Sequence, residues 1–247
     1  MKKIELNNEK PSVLLLYPKT GMDFGSTVAP PHACLAIAAP VLKAGYSVEL
    51  LDQRTQTITK DTLENYLCDD TICVGISTMT GTQINNALNL AKLVREITDG
   101  KIPLVWGGCH PSVMPKQTLE NENVDIVAVG EADDTFLEIV KAIDQKNGGL
   151  NSVKGIMYKD GSEMVTTAPR PLLDVDTLLP TPWHLVDVEN YIHRDMYLSD
   201  RSRVLDVGQS SRGCPFNCGF CSSAEIRERK WRAFDVERSL DYIEHAV

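Results

Sequence analysis

The chain has 247 residues, 43% apolar and 24% charged, an ordinary globular composition that suffices for one large domain or a domain and a half and excludes disorder. Its 34 acidic and 25 basic side chains leave a formal charge of -9, which excludes a nucleic-acid surface built on clustered Lys and Arg. The single basic run, Arg227 to Arg232, is short, contains Glu228 and reads as a solvated face.

From residue 12 to about 145 apolar runs alternate with helical patterns. Val13 to Tyr17, Ser47 to Leu51, Ile72 to Ile76, Pro103 to Trp106 and Val124 to Val129 are short and apolar enough for parallel strands buried on both faces. Cys34, Ile37, Ala38, Val41 and Leu42 recur at helical spacing before Gly45, and Ile84, Ala87, Leu88, Ala91 and Val94 form a second stripe. Thr80-Gly81-Thr82-Gln83 has the form of a capping box opening that second helix. With a closing helix near Thr135 to Ile143, the pattern predicts an α/β domain, 1–145, with a flavodoxin-like doubly wound parallel sheet that binds ligands at the carboxyl ends of its strands. Residues 146–200 read as a linker: Lys146-Asn147-Gly148-Gly149, then a hairpin of Val153 to Tyr158 and Glu163 to Thr167, then a Pro-rich strap from Pro169 to Asp200.

No run reaches the roughly 18 apolar residues of a membrane span, and Met1-Lys2-Lys3-Ile4-Glu5 does not open a signal peptide, so a cytoplasmic protein is expected. Seven cysteines then fit a reducing compartment where thiols serve metals; Cys34, Cys68 and Cys73 fall in apolar segments and read as core residues.

Cys214, Cys218 and Cys221 form a CxxxCxxC run behind the apolar segment Val204 to Val207. Three thiolates on one small loop can each hold an iron of a 4Fe-4S cluster, and without a fourth cysteine nearby one iron stays open to an outside ligand. A structural zinc site wants a closed set of four ligands, and His184 and His193 lie upstream without ligand spacing. The loop resembles the signature of radical S-adenosylmethionine (radical SAM) enzymes. The resemblance implies that the open iron chelates S-adenosylmethionine, that Phe220 touches its adenine, and that residues 201–247 begin a (β/α) barrel with strand Val204 to Gln209 and helix Val236 to Val247. Only 26 residues follow Cys221 where such a barrel needs about 200, so a fragment of a longer enzyme is expected.

The loops at the carboxyl ends of the first domain's strands carry a second resemblance. Ala29-Pro30-Pro31, Gly75-Ile76-Ser77-Thr78-Met79-Thr80, Trp106-Gly107-Gly108-Cys109-His110-Pro111-Ser112 and Val129-Gly130-Glu131-Ala132-Asp133 together resemble the N-terminal cobalamin-binding domain of cobalamin-dependent radical SAM proteins. It implies a cobalamin site at Ser77, Thr78, Met79, Thr80, Gly107, Gly108, His110, Pro111, Gly130 and Glu131. Hydroxyls of Ser77, Thr78 and Thr80 can donate to the nucleotide loop, and Gly107 and Gly108 would let the backbone approach the ligand. The sequence departs from the family's Asp-x-His-x-x-Gly motif: with His32 at the histidine position, Pro30 and Leu35 replace its Asp and Gly, so a cobalt without a histidine ligand is expected.

These resemblances imply a radical SAM enzyme with a 4Fe-4S cluster, S-adenosylmethionine and cobalamin as cofactors. It would transfer a methyl group to an unactivated centre of a small-molecule or natural-product substrate and draw electrons from a reductant such as flavodoxin or ferredoxin. A non-methylating oxidative cyclase of the tetrapyrrole type, or a corrinoid-binding module without activity, are the alternatives.

Overall fold

A computed structural model describes residues 12–24, 28–145, 149–194 and 203–246. Residues 146–148 and 195–200 of the expected linker and 201–202 of the expected barrel segment lie outside the described residues, as does the start of the chain. Five short strands form the parallel core: β1 (Val13–Tyr17), β2 (Val48–Asp52), β3 (Cys73–Ser77), β4 (Leu104–Gly107) and β5 (Ile126–Ala128), in the order β2-β1-β3-β4-β5. Nearly all their side chains are buried, because helices cover both faces. α1 (His32–Lys43) and α6 (Asp133–Asp144) pack together over one face. α2 (Lys60–Tyr66) and α3 (Thr82–Thr98) cover the other, and α4 (Cys109–Val113) and α5 (Pro115–Leu119) link β4 to β5. Each face has its own apolar cluster, one around Leu15, Leu35, Val105 and Phe136, the other around Leu14, Leu63, Ile76, Leu90 and Trp106. The chain reverses direction across the sheet between β1 and β3, which opens a crevice at their carboxyl ends.

The five expected core strands form within two residues of their predicted bounds. Two expectations change in this part of the chain. The hairpin, β6 (Ile156–Asp160) and β7 (Glu163–Thr166), joins the sheet instead of standing in a linker, because β6 pairs antiparallel with β5 and covers its open edge. The box at Thr80 does not form: Gly81 is the N-cap of α3, and Gln83 turns its Oε1 to the Met79 N–H at 2.7 Å while its Nε2 donates to the Pro18 carbonyl at 2.8 Å. A reciprocal box does open α2, where Thr59 and Thr62 each accept the other's backbone N–H.

The strap folds back over the sheet with short 3-10 turns at Val175–Thr177, Trp183–Leu185 and Val188–Tyr191. Val175 and Tyr191 are buried, and the Tyr191 hydroxyl donates to Asp52 Oδ2 at 2.9 Å. Beyond it come two short antiparallel pairs: β8 (His193–Arg194) with β9 (Arg203–Val204), and β10 (Ser211–Arg212) with β11 (Arg232–Ala233). α7 (Ser223–Ile226) follows the cysteine loop, and α8 (Val236–Ala246) forms where the barrel helix is expected. The predicted strand 204–209 is regular only at Arg203–Val204, since no described strand runs alongside residues 205–209 to pair with them.

Candidate functional site

A cavity of about 640 Å³ runs from the carboxyl ends of β3, β4 and β5 down between α1 and α6. Leu15, Val105, Ala128 and Phe136 from the sheet and α6, and Cys34 and Ile37 from α1, give it apolar walls; Ser77, Gly107, Gly130 and Glu131 stand among its lining at the strand ends. Gly75 belongs to the same surface. A Cβ there would lie 2.7 Å from Leu15 Cδ2 and 3.1 Å from Phe136 Cζ, so packing within the sheet face already uses that space. From the strap, Leu173, Leu178 and Thr181 line the cavity, and Gly208, Arg212 and Arg227 do so from the segment that carries the cysteines. The strap is therefore a wall of the site as well as a connection.

The structure separates the candidate cobalamin residues into two groups. Ser77, Gly107, Gly108, Gly130 and Glu131 line the cavity, joined by Cys109 and Ser112. Thr78, Met79, Thr80, His110 and Pro111 are not among its lining. Thr78 is fully buried with a hydroxyl that finds no partner among the described residues, while its N–H donates to the Gly107 carbonyl. Met79 is exposed. His110 sits in α4 with Nδ1 3.2 Å from Thr80 Oγ1, and desolvation lowers its pKa.

Gly108 and Glu131 each have close partners within the chain. Gly108 holds φ of +100°, and a Cβ on it would stand 2.5 Å from the Thr78 carbonyl oxygen. A glycine is therefore required there by the β3 loop packed against it. Gly107, whose Cβ would meet nothing closer than Ala128 at 3.9 Å, is the one with room for a ligand. Glu131 borders the cavity, yet its carboxylate is only 2% exposed and is already occupied. Arg232 donates to both oxygens, Arg227 donates to Oε1, and the Leu173 N–H donates to Oε2 at 3.1 Å. Burial alone would raise the Glu131 pKa; the Arg232 and Arg227 contacts and the Leu173 N–H outweigh it and hold the carboxyl below its usual range. Two arginines of the run, Arg227 and Arg232, thus turn inward to this carboxylate, while Glu228, Arg229, Lys230 and Trp231 between them stay exposed.

His32 opens α1 and lines the cavity. Its Nε2 lies 3.4 Å from Asp206 Oδ1, and its ring meets Trp183 edge-on with centroids 6.1 Å apart. Burial depresses its pKa, with partial compensation from Asp206. Sequence reading found no acidic partner because Asp206 lies 174 positions away and only the fold brings it close.

Cys214, Cys218 and Cys221 are free thiols on one loop, the first half-buried and the other two exposed, with the Cys221 N–H donating to the Cys218 carbonyl at 3.1 Å. Among the described residues no three side chains already stand at metal-holding distances. Three thiols with no competing His or carboxylate ligand suit an iron-sulfur cluster in donor chemistry. Phe220 is 93% exposed beside Cys221. By contrast, Cys34 and Cys73 are buried and pushed up to about 12 by desolvation, and are inert core thiols as expected.

Comparison with known proteins agrees with this geometry. A B12-binding domain model matches residues 26–140. An uncharacterized methyltransferase of Pyrococcus horikoshii is 30% identical over 93% of the chain, and an anaerobic magnesium-protoporphyrin IX monomethyl ester cyclase of Cereibacter sphaeroides is 30% identical over 88%. The chain spans 49% and 35% of those relatives' lengths. The solved structure of the radical S-adenosylmethionine methyltransferase TsrM from Kitasatospora setae, with cobalamin and a [4Fe-4S] cluster bound, superposes over 94% of the chain and 45% of its own with a TM-score of 0.67 at 17% identity. Residues 26–140 thus match a B12-binding domain, and over most of its length the chain is similar to a curated methyltransferase and a curated cyclase and shares the fold of a radical S-adenosylmethionine methyltransferase.

Proposed function

We propose that the chain is the cofactor-binding part of a cobalamin-dependent radical SAM enzyme that transfers a methyl group to an unactivated centre of a small-molecule substrate. The observation that carries the reading is the convergence of two sites: segments flanking the cysteine loop, Gly208, Arg212 and Arg227, also line the cavity at the strand ends. Ser77, Gly107 and Gly130 would hold the corrinoid, Cys214, Cys218 and Cys221 the cluster, and Phe220 the adenine of S-adenosylmethionine. Bound together, these groups would supply a methyl carrier and a reductively generated 5'-deoxyadenosyl radical. The chain's own residues have simpler tasks. The strap residues Leu173, Leu178 and Thr181 shield the cavity, and the Ser77 hydroxyl offers a hydrogen bond within it. Electrons would come from a flavodoxin or ferredoxin.

The match to the Cereibacter cyclase favours a second reading, oxidative ring closure without methylation. Product analysis with the full-length protein separates the two. Incorporation of a labelled methyl group from S-adenosylmethionine into product supports methyl transfer; an unmethylated, oxidised ring product replaces it with the cyclase reading.

A further inference from the structure

The root of the cysteine loop is pinned at several points. β10 and β11 pair so that Arg212 stands opposite Arg232. Both side chains turn to the loop that leaves β5, where their acceptors are two residues apart. Arg212 donates from Nη1 and Nη2 to the two oxygens of Asp133 at 2.9 and 3.0 Å, and these side chains are only 6% and 10% exposed. Arg232 grips Glu131 in the same forked manner, and Arg227 joins it. Between Arg212 and Cys214, Gly213 holds φ of +93°, and a Cβ on it would come within 1.9 Å of the Lys230 carbonyl oxygen, so the two sides of the loop root touch through backbone.

Burying three guanidinium groups against two carboxylates is a costly way to gain stability, because desolvation offsets most of the Coulomb attraction. Forked arginine-carboxylate pairs fix an orientation that an apolar contact of the same area would leave free. Glu131, Asp133, Arg212 and Arg227 also border the cavity, and Arg212 lies two residues from Cys214, so the pairs tie the cavity wall to the root of the cysteine loop. We propose that Glu131 and Asp133 are positioning residues that dock the cysteine loop at the cavity mouth and thereby set the distance and angle between cluster and corrinoid. The orientation role rests on the cofactor reading above; the docking role stands on contacts within the chain.

The test has two arms on the full-length protein. In the first, without cofactors, amide hydrogen exchange is compared between wild type and Asp133→Asn, with Glu131→Gln as a second variant should the first fail to fold. Exchange across residues 210–234 should rise about tenfold or more while β1, β3 and β4 stay protected. Unchanged exchange at 210–234, or loss of protection throughout the sheet, would overturn the docking role. In the second arm, both proteins are loaded with iron, sulfide and cobalamin, and the spin-spin interaction between cob(II)alamin and the reduced cluster is read by electron paramagnetic resonance. The variant should keep both cofactors yet show a weaker or more widely spread interaction, and Asp133→Glu, which retains the fork, should restore part of it. An identical interaction in wild type and variant would overturn the orientation role. Wild-type protein that takes up neither cofactor would sink the cofactor reading and the orientation role with it, while the exchange result would still decide the docking.

Discussion

Gly107 and Gly108 are adjacent and chemically identical, yet their surroundings give them opposite roles. A side chain at Gly108 must adopt a strained positive φ and displace the Thr78 backbone, so Gly108→Ala should destabilise the fold by about 1–3 kcal/mol, read by urea denaturation. At Gly107 the backbone is unstrained and the space is open, so Gly107→Leu should leave the urea midpoint nearly unchanged and abolish saturable corrinoid binding by filling the cavity. A lowered midpoint with normal binding would reverse that assignment. The Gly-Gly pair was legible in the sequence as a loop at a strand end, but the difference between its two glycines was not, because it depends on the β3 loop that packs against Gly108. His32 is a similar case. Its Nε2 faces Asp206 and its ring is wedged against Trp183, so His32→Ala should leave the cob(II)alamin paramagnetic resonance spectrum unchanged; loss of nitrogen superhyperfine splitting would make it the cobalt ligand.

At the scale of elements, Gln83 shows how the crevice at the switch point is held. Its amide is buried and bridges the loops after β1 and β3, so Gln83→Leu would strand the Met79 N–H and the Pro18 carbonyl and should cost about 1–3 kcal/mol in a denaturation experiment. The Glu131 cluster adds a pH dependence. Its pKa is depressed in the folded chain, so its stabilisation is fully present above the ordinary carboxylate value of about 4.3 and is lost as pH falls through the lower folded value. The urea midpoint of Glu131→Gln should therefore lie below wild type at pH 7 and converge with it in strong acid; a gap that persists there would mean the charge is not what matters.

The five core strands, α1 and α3 were legible because runs buried on both faces and helical stripes are local signals. α2 was not singled out, as Lys60–Tyr66 offers only Leu63 as a fully buried anchor. The hairpin was legible as a hairpin, but its attachment to β5 is a pairing between distant segments that periodicity does not encode. The inward turn of Arg227 and Arg232 escaped for the same reason: a charged run looks solvated until its buried acceptor is known.

The whole molecule is a sheet whose carboxyl edge is walled by parts of the chain far beyond it. β6 and β7 complete that sheet, so a segment ending at 145 should be less stable and more prone to aggregate than one ending at 168, which retains the bond from the Gly155 N–H to the Ala168 carbonyl. Sedimentation and thermal unfolding of the two segments would decide this, and equal behaviour would show the hairpin to be an accessory. Among the described residues no helix is long and apolar enough to cross a membrane; the proposed function rests on the cavity and the cysteine loop. Both belong to one claim, that a corrinoid and a cluster are held side by side. Its most direct test is anaerobic reconstitution of the full-length protein followed by metal and corrinoid analysis of wild type and of the Cys218→Ala variant. The account predicts about four irons and one cobalamin per wild-type chain, with iron lost and cobalamin kept in the variant; stoichiometric zinc without iron, or no retained cobalamin in the wild type, would contradict it.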